Sequence, residues 1–246
     1  MPNLIKGLEI KNSTETSADL YFYGDIVCDW WGAWQDEDQY PDAIRKFLLA
    51  QDGKDLNVYV NSGGGSVFAG LAIYNMLKRH AAKAKVKVYV DGLAASIASI
   101  IAFAGSEPPE IPSNAFLMIH NPWGTCEGNA AEMRKMADDL DQVRTGMLNV
   151  YEEHLKEGVT IEQIAALMDA ETWLNGEQAA QYFNVKTGEA KTYAAAIGAY
   201  LEKAKCKIPE NLKKQPNKEQ QAAALVVAEK RLKIRNLAVK AIMEGD

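Results

Sequence analysis

Along most of the chain, short apolar runs alternate with stretches whose apolar residues recur at helical spacing. "ADLYFYGDIV" (18–27) is rich in aromatic and β-branched residues and reads as a strand, and "LNVYV" (56–60) as a short buried one. Between them "PDAIRKFLLA" (41–50) is helical in character. A helix from about Ser66 to Arg79 is supported by Leu71, Tyr74, Met76 and Leu77. "VKVYVDG" (86–92) gives another strand, Ser96 opens another helix, and "NAFLMIH" (114–120) reads as a strand again. Successive βαβ units predict an α/β fold, a mostly parallel sheet covered by helices with right-handed crossovers.

Beyond residue 120 the pattern changes. "WGTCEG" has Gly-punctuated strand character and leads into a long helix in which Met133, Met136, Leu140, Val143, Met147 and Val150 repeat at alternating spacings of 3 and 4. That seam is expected where a helix packs on another helix, although a methionine stripe is also ordinary core. Near the end, Pro209 and Pro216 mark a hinge, and "AAALVVAEKRLKIRNLAVKAIM" reads as a helix with Leu225, Ala228, Leu232 and Val239 near one face. The expected organisation is an N-terminal segment (1–17), a main domain (18–195) and a basic tail (196–246).

Composition narrows the class. At 246 residues, 48% hydrophobic and 24% charged, the chain has room for one sizeable domain and an appendage. Residues 1–200 hold 16 Lys/Arg against 27 Asp/Glu, a net of −11, whereas 201–246 hold 11 against 6, a net of +5. The tail is thus a separate compositional unit, readable as a solvated helix or as a docking arm for an acidic partner or nucleic acid. No specific nucleic-acid partner is expected. The longest apolar run, "GLAASIASIIAFAG" (92–105), is too short to cross a bilayer, and the N-terminal residues turn polar quickly, so a cytoplasmic protein with no membrane span is expected. Cys28, Cys126 and Cys206 stand far apart without a C-x-x-C, which predicts reduced thiols and neither disulfides, a zinc site nor another cofactor.

The chemistry begins at "NSGGGS" (61–66). Bare backbone in a strand-to-helix turn suits phosphate binding or holding a peptide-like group. The turn lacks the lysine and the glycine spacing of phosphate loops. What remains is stabilisation of an oxyanion and alignment of an extended peptide by main-chain hydrogen bonds. Ser96 starts a helix straight after a strand in "DGLAASIAS", where its hydroxyl can face the same sheet edge and the amide of Ile97 can point at developing negative charge. A serine there is also a common N-cap. Ser99, one turn further in, is expected to face the packed helix. Among three histidines, His80 ends a helix and His154 lies in the charged stretch "YEEHLKEG", whereas His120 ends an apolar strand before Asn121 and Pro122, where a side chain emerges from the sheet edge. Ser96 and His120 together form a nucleophile and base pair.

"NSGGGSVFAGLAIYNML", "GLAASIAS", "MIHNP" and "ETWLNGEQAAQYF", in this order, resemble the Clp protease proteolytic subunit family of serine peptidases, most closely its phage head-maturation branch. The resemblance implies a ClpP/crotonase-like fold with a protruding strand–helix handle at about 123–156. It matches Ser96 to the nucleophile, His120 to the general base, and Gly65 and Ile97 to the oxyanion donors. It places an acid at Glu171, where the family usually has Asp, with Asp169 the second choice. Gly63 stands where the family usually has proline and Ala98 where it often has glycine. The resemblance further implies that Gly64 and Ser66 on one side and Thr125 and Cys126 on the other border a bound peptide. The handle would join rings, heptameric or stacked in pairs, into a homo-oligomer around a protein substrate.

Capsid proteins are the substrates that the head-maturation branch implies, while an unfoldase ATPase partner stays open. "CDWWGAWQDEDQYPD" (28–42), with three tryptophans, does not resemble the family's usual opening segment and reads as an interface anchor or as a loop packed on its own domain. Two other classes remain at this point: a crotonase-like acyl-CoA enzyme, and a catalytically inactive structural shell protein.

Overall fold

The first four strands pair in the order in which the chain makes them. In a computed structural model describing residues 13–29 and 38–188, β1 (Ser17–Phe22), β2 (Asp55–Ser62), β3 (Val86–Ala95) and β4 (Phe116–Ile119) are successive parallel neighbours. α1 (Pro41–Ala50), α2 (Val67–Ala81) and α3 (Ile97–Ala102) make the crossovers. After α4 (Ala130–Glu152) and α5 (Ile161–Asp169), β5 (Thr172–Asn175) returns antiparallel to β4, and α6 (Gly176–Tyr182) follows. The expected α/β architecture is present. β1 is shorter than the run 18–27, because the chain leaves the sheet after Phe22 and Ile26 returns as an isolated bridge to both Gln39 and Gly65.

Strand order decides where the core sits. When each crossover steps to the next strand with the same hand, every crossover helix falls on one face of the sheet. That face carries Leu20 and Phe22, Val58 and Val60, and Val88 and Val90, all buried, against Ile44 and Phe47 of α1 and Ile73 and Leu77 of α2. Among the described residues, the opposite face is not the helix-covered surface that the sequence pattern predicts. It carries the partly exposed Tyr21, Tyr59 and Tyr89, whose rings stack at 4.7 and 5.2 Å, and Asn57 Nδ2 donates to Asp19 Oδ1 at 2.9 Å. Thus β2 alternates inward and outward rather than lying buried throughout.

The handle region differs from expectation in one respect. Residues 121–128 belong to no strand among the described residues. The segment instead follows α4: a Cβ on Gly124 would lie 2.4 Å from Met136 Cε. α4 opens with a capping box, Asn129 Oδ1 accepting from Glu132 N at 3.2 Å and Glu132 Oε2 from Asn129 N at 2.7 Å. Its 23 residues span about 35 Å. Its buried residues, Met147 and Tyr151, lie at its base, whereas Met133 near the tip is 52% exposed. No helix among the described residues is long and apolar enough to cross a membrane. Residues 30–37 of the tryptophan-rich stretch, the prolines and helix expected beyond 200, and Cys206 lie outside the described residues.

Two glycines test this packing in opposite directions. A Cβ on Gly70 of α2 would sit 2.2 Å from Cγ1 of fully buried Ile97, so Gly70→Ala is expected to destabilise by about 1–3 kcal/mol. Gly146, inside α4, has open space at its Cβ position, and Gly146→Ala is expected to stabilise by about 0.5–1 kcal/mol. Thermal unfolding of the two variants measures both signs.

Candidate active site

The glycine turn after β2 is wedged between two other pieces of backbone. Ile26 N donates to Gly64 O at 2.8 Å and Ser66 N donates to Ile26 O at 2.7 Å. This parallel bridge leaves the N–H and C=O of Gly65 on the side away from Ile26. Gly64 and Gly65 have φ of 96° and 141°, where a side chain is strained. There is no space for one either. A Cβ on Gly65 would lie 2.1 Å from Ile26 O, and one on Gly64 would lie 2.7 Å from both Ala95 O and Ser96 Cβ. The turn therefore rests directly on the end of β3, and Ser62 fixes it further by donating to Gly24 O at 2.7 Å and accepting from Gly64 N at 3.1 Å.

Ser96 occupies the N-cap position of α3 without acting as a cap. Its φ of 55° and ψ of −129° lie outside the extended geometry of an ordinary N-cap, and its side chain makes no capping bond. Instead Ser96 Oγ lies 2.8 Å from His120 Nε2, while Ser96 N donates to Met118 O at 2.8 Å, tying the serine turn to β4 just before the histidine. Ile97, the first residue of α3, is fully buried and its N–H is one of the helix's unshared N-terminal donors. Ser99 turns the other way, as expected, and is buried against Tyr151 with a 2.7 Å contact between hydroxyls.

The antiparallel β4–β5 ladder brings up the carboxylate. Its last pair is Ile119 with Thr172, which brings His120 and Glu171, the residues that flank that pair, to neighbouring strand ends. Burial lowers the His120 imidazole below its ordinary value, and the negative charge of Glu171 partly opposes that. Asp169 is engaged elsewhere: its Oδ1 accepts from Asn121 Nδ2 and from Arg144 Nη2, each at 2.9 Å.

Ser66 caps α2 by accepting from Ala69 N at 3.4 Å, and it also accepts from Cys28 Sγ at 3.2 Å. Thr125 and Cys126 are exposed on the 121–128 segment. His80 is buried, with Nε2 2.7 Å from Lys54 O, and His154 stacks on Phe103 at 4.9 Å rather than standing on a charged surface.

Among the described residues, only Ser96 and Glu171 combine a side chain with positive φ. Such backbone costs about 1–3 kcal/mol per residue and persists only where the surroundings impose it. Glu171 follows the end of α5 at the position glycine usually takes, with φ of 49°. Sequence reasoning had no access to this strain, nor to Arg144, which shares its helix with many charged residues and bears no motif.

The sequence pattern of the Clp protease family matches residues 34–185, more than half of the chain and every element except β1. The chain belongs to the Clp protease family. Its sheet and helices are the ClpP/crotonase-like fold of that family, and membership makes it a peptidase. Similar relatives include the ATP-dependent Clp protease proteolytic subunit of Bacteroides fragilis strain ATCC 25285, 29% identical over 154 residues that cover 60% of this chain and 72% of the relative. The corresponding subunit of strain YCH46 is also 29% identical over 154 residues, 68% of its length.

Glu171→Gly separates strain from use in this Clp protease family member. Glycine relieves the left-handed backbone, at an entropic cost in the unfolded chain that nearly offsets the gain, so stability is expected to hold or to rise by about 0.5 kcal/mol. Peptidase activity is expected to fall by roughly 10³-fold or more with loss of the carboxylate. Calorimetry beside a peptide-cleavage assay measures both. A strongly destabilised variant would mean that the Glu171 side chain does more for the fold than its backbone costs.

Proposed function

We propose that the chain is a serine-type endopeptidase in which Ser96 is the nucleophile, His120 the general base and Glu171 the carboxylate that orients the imidazole. The observation that carries this reading is the 2.8 Å contact between Ser96 Oγ and His120 Nε2, made at a strained turn where the serine does no capping. Neither an acyl-CoA enzyme that works through backbone amides nor an inactive shell protein has a use for that arrangement.

Neutral His120 takes the proton of Ser96 as Oγ attacks the scissile carbonyl carbon, and the carbonyl electron pair moves onto oxygen. The amides of Gly65 and Ile97 receive that oxyanion, and each such donor lowers the barrier by about 3 kcal/mol. When the tetrahedral species collapses, the C–N bond breaks and the imidazolium returns its proton to the departing amine. Water then resolves the acyl-enzyme through the same base. An extended substrate is held along Gly64 and Ser66 on one side and along Thr125 and Cys126 on the other, adding as a strand beside the 121–128 segment.

Membership of the family implies a protein substrate and an oligomeric assembly. In our reading the assembly forms through α4, whose partly exposed Met133, Met136 and Leu140 stripe would pack on another subunit, with the sites enclosed by rings. The finer assignment, head maturation in a phage or prophage with capsid proteins as substrates, rests on the motif resemblance and on the basic residues after 200. Portal and capsid genes beside this one are its expected context.

Two measurements test the chemistry. A fluorophosphonate is expected to label Ser96 and to leave Ser96→Ala unlabelled, as read by mass spectrometry, and label persisting elsewhere in that variant would overturn the nucleophile. The base must be neutral, so kcat/KM is expected to fall as pH drops through the His120 titration. Because burial depresses that imidazole, the acid limb is expected below pH 6.5. Glu171→Gln removes a charge that raises it, and is expected to move the limb to still lower pH while reducing the plateau.

A further inference from the structure

One closed polar triangle joins three separate elements beside the site. Arg144, in the middle of α4, donates from Nε to Asn121 Oδ1 at 2.8 Å and from Nη2 to Asp169 Oδ1 at 2.9 Å. Asn121 completes the figure by donating from Nδ2 to the same Asp169 oxygen at 2.9 Å. A longer contact runs from Arg144 Nη2 to Ala165 O, at 3.4 Å, on α5. Asn121 directly follows His120, and Asp169 stands two residues before Glu171.

The residue types fit this task and few others. An asparagine amide presents an acceptor and a donor side by side, so it can take the guanidinium and give to the carboxylate at once. The guanidinium forks to two acceptors on different segments, which an ammonium cannot match. Asn121 and Arg144 together hold the Asp169 carboxyl below its usual range. With its side chain 59% exposed, Asp169 contributes little to stability through this pair, because exposed ion pairs are weak. Its effect is therefore geometric.

We propose that Arg144 is a positioning residue that, through Asn121 and Asp169, fixes the distance between the turn carrying His120 and the turn carrying Glu171, and so makes their alignment depend on the placement of α4. The β4–β5 ladder sets which residues face each other only up to Ile119 and Thr172, where pairing stops. Past that point the separation of the two strand ends is set by what bridges them, and the triangle is a direct bridge. This deepens the serine peptidase reading and rests on it. An asparagine after the base and an arginine on the handle helix thereby acquire a role in the reaction without touching substrate.

Arg144→Ala is expected to lower kcat on the order of 10- to 100-fold, the scale associated with misplacement by about 1 Å, with KM little changed. It is also expected to shift the acid limb of the pH profile in the same direction as Glu171→Gln, because a carboxylate that drifts away no longer raises the imidazole. Arg144→Lys is expected to lie between, and Arg144→Ala combined with Asp169→Asn to be no worse than either alone. Native mass spectrometry reports whether the variants assemble. If Arg144→Ala does not, Asp169→Asn, which lies off the handle, carries the test with the same expectations.

The imidazole titration of His120, followed by NMR in a Ser96→Ala background, gives a readout that needs no activity. Arg144→Ala or Asp169→Asn is expected to lower it. A wild-type protein without label at Ser96 would refute the peptidase reading and leave this titration standing. An unchanged His120 titration in both triangle variants would refute the positioning role whatever Ser96 does.

Discussion

The site depends on the contact of bare backbone with bare backbone where the Gly64–Gly65 turn lies between Ile26 and the end of β3. A side chain on Gly64 would lie 2.7 Å from Ala95 O and Ser96 Cβ, so only bare backbone can sit this close to the serine turn, and the Ile26 hydrogen bonds hold it there. The relative placement of the Gly65 and Ile97 amides is thus set by backbone packing and hydrogen bonds, before any substrate arrives. Preorganisation of this kind lets main-chain dipoles act on developing charge without reorganising first. The glycines that cost entropy in the unfolded chain give up side chains so that three chain segments can share one small volume.

The rest of the fold supplies connections to that contact. β3 and β4 deliver Ser96 and His120 to the same sheet edge, and the Ser96 N to Met118 O bond locks the two ends together. β5 runs the other way, which sets Glu171 opposite the histidine rather than at the far edge. Both strained residues stand where one segment ends and the next begins, at the starts of α3 and β5. The strain is tolerated because the surrounding ladders and buried helix starts leave no alternative backbone path.

Much of this was legible in the sequence, for local reasons. The helix at 41–50 and the strands around "LNVYV" and "VKVYVDG" follow from periodicity, and the glycine turn and the positions of Ser96 and His120 at strand ends follow from composition next to apolar runs. Properties fixed by distant partners were not legible. The direction of β5 depends on pairing with β4, the tyrosine face depends on strand order, and residues 121–128 have strand character in sequence but form no strand among the described residues. Glu171 has a left-handed backbone with no glycine to announce it. Arg144 could be recognised only once α4, α5 and the turn after His120 stood side by side.

The order of the strands has a consequence for biosynthesis. Because β1 to β4 pair with their immediate predecessors, the sheet can grow one strand at a time as the polypeptide leaves the ribosome, with short loop closures throughout. The hydroxyl and imidazole come together by residue 120, but the acidic partner arrives about fifty residues later, after the long helix has been made. On the proposed assignment of Ser96, His120 and Glu171, a nascent chain therefore carries an incomplete set of reacting groups through most of its translation, and the fold itself delays hydrolytic competence until the domain is finished.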